Sequence, residues 1–581
     1  MKNHNTDISN VLIIGCGGAG LRAAIEAKVN GLRVQVLGKR TKFDSHTVLA
    51  AGGINAAFGN LDKNDSWEQH FADTFIEGYG IGDPELIESM VKESIFAVNE
   101  IEKWGGNFAK LNNGNFDQRF FGAHTYRRTC YSGDYTGQSI LNALLKKSKS
   151  LNIPINDTQY VTDLLIEDNC CFGAMSFDIN NGERTIHLAD AVVICTGGHT
   201  RIWKKSSSRK QENMGDGYYL ALKAGCSLID MEMVQFHPTG MVLPEEISGT
   251  LVTEAVRGEG GKLINGNGDR FMVNYDKERM ELSTRDKIAI ANYTEIVEGR
   301  SSPNGGVYLD ISHKDKEFIL NKIPKIYRQF IEYQMLDISK EPMEVSPTAH
   351  YSMGGIKVKS NDHSTSIQGL YAAGEVAGGL HGANRLGGNS LAEILVFGKH
   401  AGKAAAMYSI NLRSQVRSKV VINHAHENIN MKIRNGNEIA IQVQNELSTI
   451  MWKYCGVVKD NETLKIGLDK INLIKETYKD LDIRISDDSY QDLTRIFDLE
   501  ASIITAEATI LSAIEREESR GAHQRKDFPK IKNSEEVNYE VKLYNNNLIL
   551  KRYQLNPLKN NLKKLVEKTS IVNDFQGKLI E

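Results

Sequence analysis

Residues 10–40, NVLIIGCGGAGLRAAIEAKVNGLRVQVLGKR, constrain the fold more tightly than any other stretch of the chain. Val11 to Ile14 form an unbroken apolar run that leads straight into glycines, the pattern of a strand buried on both faces of a parallel sheet. AGLRAAIEAKVNG then takes up helical spacing and stops at Gly31, after which VQVL reads as a second strand. Gly15, Gly17 and Gly20 fall on GxGxxG, with Gly18 inside it. Between a strand and a helix these positions make a tight turn, bring backbone close to a pyrophosphate and let helix touch strand, with the helix N-terminus facing the phosphates. The expectation is a dinucleotide site in a Rossmann-like α/β domain. One element of an ordinary NAD site is missing: the ribose-binding acid due about 20 residues on is replaced by Gly38 and Lys39.

A second glycine-rich segment lies far downstream, GLYAAGEVAGGLHGANRLGGNSLAEILVFGKHAG (369–402). LYAAGE reads as a short strand and turn, and NSLAEILVFGKHAG as a helix with Asn389 or Ser390 as N-cap. Glu375 is placed to hold a ribose hydroxyl, and the helix start, Asn389 to Leu391, to face a flavin ring. Two distant segments completing one dinucleotide site point to FAD rather than NAD. A third, ADAVVICTGG (189–198), is an apolar strand ending where it would pass the same cofactor.

At 581 residues the chain has room for about three or four structural units. Its 70 basic and 73 acidic residues are interspersed and leave a net charge of −3, so nucleic acid is not an expected partner and a small ligand is. The seven cysteines are scattered, with no CxxC and no metal-ligand spacing. No metal or iron–sulfur cluster is expected on this chain, and free thiols suit a reducing, cytoplasmic compartment. No run of 18 apolar residues occurs, so no bilayer-spanning segment is expected.

Seven motifs, in order, then carry a resemblance: SHTVLAAGG (45–53), MVQFHPTG (233–240), TEAVRGEGG (253–261), STRDKIA (283–289), PTAHYSMGGI (347–356), HGANRLGGNSL (381–391) and REESRGAHQRKDFP (516–529). From about residue 8 to 530 the chain resembles the flavoprotein subunits of the succinate dehydrogenase and fumarate reductase family. The resemblance implies FAD, held by a covalent bond from the His46 imidazole to the 8α-methyl of the flavin. Thr47, Gly52, Gly53 and Asp216 join the expected FAD contacts. It implies a dicarboxylate site of His237, Thr253, Glu254, His350 and Arg385, with Phe108 as a ring clamping the substrate. Arg285 resembles the family's proton-transferring arginine. A guanidinium with a pKa above ~12 can play that part only if a buried relay resupplies it, and Glu254 with Arg257, at i and i+3, resembles that relay. Taken singly, the three charged residues could be an ion-pair network joining domains, and His237 before Pro238 a turn residue.

The chain departs from family patterns in places. Gly137-Gln138 stands where many relatives carry Gly-His, and Ala51 where succinate dehydrogenases show Gln and quinol fumarate reductases often Glu, so the direction of reaction is not readable there. L-aspartate oxidase is the competing enzyme reading. Its relatives usually continue HGANR with Met-Ala-Ser, where this chain has Leu386-Gly387-Gly388, and place an ammonium-binding Glu where this chain has Phe121. A flavin-binding assembly protein without turnover is the non-enzymatic alternative.

The expected organisation is an FAD domain at 1–240 and 347–412, interrupted by an α+β capping domain at 241–346, then a helical domain at 413–530 and a small C-terminal region at 531–581 in which VNYEVKLYNNNLILKRY alternates like a hairpin. Succinate dehydrogenase is the leading reading. The implied partners are an iron–sulfur subunit, with a membrane anchor beyond it that handles quinone, which would place the chain peripherally on the cytoplasmic face of a membrane.

Overall fold

The computed structural model describes residues 5–485, 490–532 and 536–578, with side chains to residue 569. Its centre is a five-stranded, fully parallel sheet in the order Leu370–Ala372, Ala191–Ile194, Val11–Ile14, Val34–Leu37, Ile155–Asn156. The four strands anticipated from the sequence are adjacent in it, and every residue of Val11–Ile14 and Ala191–Ile194 is buried, as a strand with both faces covered requires. The helix Gly18–Val29 packs along the helix Asn389–Asn411. They approach closely because Gly398 and Gly402 face Ala19 and Ala23; a Cβ at either glycine would stand 2.6 or 2.3 Å from a carbonyl oxygen of the first helix. The N-terminal ends of both helices therefore open onto the same place, beyond the carboxyl ends of the strands.

A second, antiparallel sheet runs Val234–Met241, Met343–Ser352, Val307–Asp310, Lys262–Ile264. It has its own apolar core, with Val252, Leu263, Phe271, Ile288 and Val345 fully or almost fully buried. The capping unit thus exists, but its first and last strands begin and end outside 241–346. These two strands, Val234–Met241 and Met343–Ser352, are long enough to belong to both units, and they carry His237 and His350. The helices Lys419–Lys432, Ala440–Tyr454, Asn461–Lys479 and Gln491–Glu515 share a third core.

The C-terminal region forms the hairpin Asn538–Tyr544 and Asn547–Tyr553, and Asn538–Tyr544 also pairs with Leu228–Ile229. The helix Asn560–Lys578 packs against Trp67–Glu77. The region is therefore tied back onto the FAD unit rather than standing apart. Among the described residues no helix is long and apolar enough to cross a membrane, and no group of three or more His, Cys, Asp or Glu is arranged to hold a metal.

Candidate active site

One continuous cavity runs from the first glycine turn to the underside of the cap. At one end it is lined by Gly15, Gly17, Gly18, Lys39, His46, Thr47, Gly52, Gly53, Asp216, Glu375, Ser390 and Leu391, and at the other by His237, Thr253, Glu254, Arg285, His350 and Arg385. Gly15 has φ +115°, and a Cβ there would stand 2.1 Å from the Cys195 carbonyl oxygen, so the tight turn has no room for a side chain. Gly20 lies behind the cavity, where a Cβ would meet the Gly15 carbonyl at 1.9 Å; it serves helix–strand contact. The two helices whose starts reach the cavity have no side-chain cap, and in its wall the hydroxyl of Thr196 is buried without a partner. Uncapped helix ends, open backbone and an unpaired hydroxyl fit a phosphate-bearing, hydrogen-bonding dinucleotide.

Lys39, in place of the missing acid, donates to Asp498 at 2.5 Å and lies 3.8 Å from Asp216. Burial opposes its charge, but the two carboxylates outweigh it and raise the Lys39 pKa. Asp498 comes from the helix Gln491–Glu515 and also accepts from the Tyr160 hydroxyl at 2.9 Å, so the helical domain reaches into this end of the site. His46 stands on a single 3-10 turn, His46–Leu49, with Nδ1 3.2 Å from Glu212 Oε2. Burial disfavours the charged ring, but the hydrogen bond and charge of Glu212 overcome this and raise its pKa. Burial lifts the Glu375 carboxyl to about 7, against the pull of His46.

At the cap end, Arg285 Nε donates to Glu254 Oε2 at 2.8 Å, and Arg257 lies behind Glu254, its Nη2 4.0 Å from the same oxygen. Burial alone would raise the Glu254 pKa; Arg285 and then Arg257 bring it down to about 2. Arg257 Nη1 donates to the Glu281 carbonyl at 2.8 Å, while its Nε and Nη2 are buried with no hydrogen-bond acceptor. Arg385 lies over the Tyr351 ring, 4.2 Å from its centroid, with its Nε buried and unpaired; burial, reinforced by Arg285, lowers it to about 10.

His350 sits at an irregularity in the cap sheet: Gln235 pairs with Tyr351 and Phe236 with Ala349, so His350 is left without a partner across the ladder. A bulge of this kind re-aims a side chain, and the His350 ring lies 5.2 Å from that of His237. Thr239 N donates to His237 Nδ1 at 3.2 Å, which makes Nδ1 the acceptor and leaves Nε2–H as a donor. Both rings are held well below the usual histidine pKa, first by burial; Arg285 and Arg257 add to this for His237, and the neighbouring His237 ring and then Arg385 for His350, since a second charge would have to share the same small space.

Two expected positions fall elsewhere. Phe108 is buried in the FAD-domain core, edge-on to Phe116 at 5.8 Å, and does not reach the cavity; its neighbours there are apolar side chains of the same unit. Phe121 is the ring at the site, within 2.9 Å of where a Gly52 Cβ would be and facing Gly387 beside Arg285. Asn389 turns its side chain inward, accepting from Asn55 at 2.7 Å and meeting His70 at 2.9 Å, and the N-cap of its helix is Gly388, with φ +87°. Gln138 is directed to the surface, where it donates to Asn142, and does not line the cavity, while Gly137 has no room for a Cβ beside the Thr47 carbonyl.

Gln235, Glu212 and Asp498 were not expected. Gln235 precedes His237 by two in MVQFHPTG, the strand period that shares a face. Glu212 and Asp498 lie in stretches with no local signal, and only tertiary folding brings them in.

A family model described as FAD binding domain matches residues 10–391, and one described as Fumarate reductase flavoprotein C-term matches residues 444–564, beyond residue 530 where the motifs end. One subunit of the fumarate reductase (CoM/CoB) of Methanothermobacter marburgensis is 44% identical over 525 residues, 90% of this chain and 95% of that one. The succinate dehydrogenase flavoprotein subunit of Rickettsia conorii is 36% identical over 90% of each chain. A solved chain of E. coli quinol fumarate reductase superposes with a TM-score of 0.91 at 32% identity, over 96% of this chain and 98% of that one.

Proposed function

The chain belongs to the family of succinate dehydrogenase and fumarate reductase flavoprotein subunits, and from this we propose that it interconverts succinate and fumarate with FAD in the glycine-lined part of its cavity. The observation that carries the proposal is the 2.8 Å bond between Arg285 and Glu254 at the cavity's charged end, beside a second arginine and two neutral imidazoles.

Arg385 is suited to grip one substrate carboxylate through two parallel N–H bonds. His237, His350 and Thr253 offer neutral donors to the other. When bound, FAD supplies the two-electron carrier, giving or taking hydride at N5. Arg285 gives a proton to the opposite carbon during fumarate reduction and takes one during succinate oxidation. Glu254 then exchanges that proton with Arg285, and Arg257 passes it on behind. Phe121 covers Gly52 and Gly387 and excludes water from this end. It also occupies the position at which aspartate oxidases carry their ammonium-binding Glu, which favours a substrate without an amine. His46 is read as the point of covalent FAD attachment.

Electrons pass to an iron–sulfur protein. Beyond it we place a membrane anchor and quinone, with the chain peripheral on the cytoplasmic face; that the E. coli relative is a quinol fumarate reductase supports the quinone. The higher identity to the methanogen enzyme supports a second reading of the direction and donor: fumarate reduction as the working direction, fed by a reductant other than quinol.

The purified holoprotein with its iron–sulfur partner is assayed for succinate-dependent dye reduction, fumarate-dependent oxidation of a reduced viologen, and L-aspartate oxidation. Turnover of both C4 dicarboxylates without L-aspartate is expected, and the ratio of the first two decides direction. Turnover of L-aspartate alone would sink the assignment.

A further inference from the structure

We propose that Glu212 is a positioning residue for the attachment of flavin to His46. The proposal rests on the reading of His46 as the flavin-bearing residue. His46 Nδ1 has a carboxylate oxygen of Glu212 at 3.2 Å, and among the described residues Nε2 has no hydrogen-bond partner. The carboxylate cannot swing away from this bond. Glu212 is buried, Arg209 Nη2 donates to its Oε1 at 2.6 Å, and the Arg209 backbone N–H donates to its Oε2 at 3.0 Å. Arg40 Nε lies 3.7 Å from Oε1. Arg209 also pairs with Asp44, two residues before His46, so the segment carrying the imidazole and the segment carrying its carboxylate are locked together.

A carboxylate on one ring nitrogen decides which nitrogen carries the proton. An ionised carboxylate can only accept, so Nδ1 carries the proton and, in the neutral ring, Nε2 carries the lone pair. In the attachment, a C–Nε2 bond replaces one C–H bond of the flavin's 8α-methyl. The hydrogen leaves as a proton, and the two electrons released pass to fumarate, which takes up two protons to become succinate. The ring keeps its Nδ1 proton and gains a positive charge as Nε2 forms its bond, directly against Glu212. The raised His46 pKa reflects the same preference for a cationic ring at this spot.

The test uses the full chain loaded with FAD and fumarate, in four forms: wild type, H46S, E212Q and E212D. Acid precipitation separates flavin that stays with the polypeptide from flavin that is released, and their sum gives total binding. Wild type is expected to retain its flavin and H46S to release all of it. E212Q should bind the same total but form the covalent bond at least about tenfold more slowly, roughly 1.4 kcal/mol, with the carboxylate of E212D restoring part of the rate. Equal rates in wild type and E212Q would overturn the inference alone, as would an E212Q chain that loses total flavin in parallel, since Glu212 would then support the fold and not the imidazole. A wild-type chain that releases all its flavin would remove the His46 reading and the inference with it.

Discussion

Arg285 and Arg385 share one acceptor: Gln235 Oε1 receives Arg285 Nη1 at 3.3 Å and Arg385 Nη2 at 2.9 Å. Gln235 is itself fixed, its Nε2 donating to Asn384 at 2.7 Å and to the Arg385 carbonyl at 3.0 Å. A neutral acceptor between two guanidiniums sets their spacing without consuming the positive charge that a dicarboxylate must meet.

Replacing Gln235 by Leu leaves both arginines free to move apart. KM for fumarate or succinate should rise about tenfold, equivalent to ~1.4 kcal/mol, and kcat should fall as Arg285 loses its aim. Replacing it by Glu introduces a resident carboxylate that competes for both arginines, so KM should rise further still. Steady-state kinetics of the two variants check this; a Q235E enzyme with an unchanged KM would show that Gln235 does not set the site.

Glu254 is the proton acceptor nearest Arg285. E254Q keeps the shape and removes the base, so kcat should fall about 10²- to 10⁴-fold while dicarboxylate affinity, read from the flavin absorbance change, stays within a few-fold. The folded pKa of Glu254 is about 2, below the ordinary carboxyl value of 4.5. Its contribution to stability is therefore complete above the unfolded value and lost as pH falls from there towards 2. Activity lost reversibly between pH 6 and 8 should not be traced to this group.

The site was legible wherever chemistry and chain order coincide. The glycine turn, His46, His237, Glu254, Arg285, His350 and Arg385 each sit in a short motif, and all line one cavity. Phe108 shows where that reading ends. An aromatic residue in WGGNF carries no local sign of whether its ring faces a core or a cavity, and here core packing takes Phe108 while Phe121, thirteen residues later in the sequence, faces the site. Domain limits are hard to read for a related reason: the strands Val234–Met241 and Met343–Ser352 each run across one end of 241–346, and an extended segment carries no local sign of where one unit stops. Asp498 and Glu212 depend on contacts far apart in sequence, 459 residues to Lys39 and 166 to His46, which no periodicity encodes.

The two phenylalanines give opposite expectations. F108A removes a fully packed core ring and should cost about 3–5 kcal/mol, seen as a lowered melting temperature, with near-normal kcat in whatever protein remains folded. F121A should change stability little by comparison and lower kcat by an order of magnitude or more, as water enters beside Arg285. Thermal melts and turnover measured on the same preparations separate the two; a loss of kcat confined to F108A would restore Phe108 to the site.

His237 and His350 should bind the dicarboxylate as neutral donors at every pH the enzyme works at. Burial, with Arg285 and Arg257 beside His237 and with His237 and Arg385 beside His350, holds both far below the unfolded value of 6.5. A group whose folded pKa is depressed in this way is protonated only in the unfolded chain as pH falls below 6.5, so each ring subtracts from stability in acid and neither gains charge in the native site. The affinity of the oxidised holoprotein for malonate, a dicarboxylate it cannot turn over, should therefore vary by no more than about twofold between roughly pH 6 and 8, the range in which an ordinary histidine would titrate. Binding that tightened about tenfold per pH unit on acidification would instead mean that an imidazolium forms in the site and contributes its charge to the substrate carboxylate. The pair would then act as a cationic clamp alongside Arg385 rather than as two neutral donors. H350N and H237N, each offering an amide N–H donor and unable to titrate, should give the same flat profile as the wild type if the neutral assignment holds.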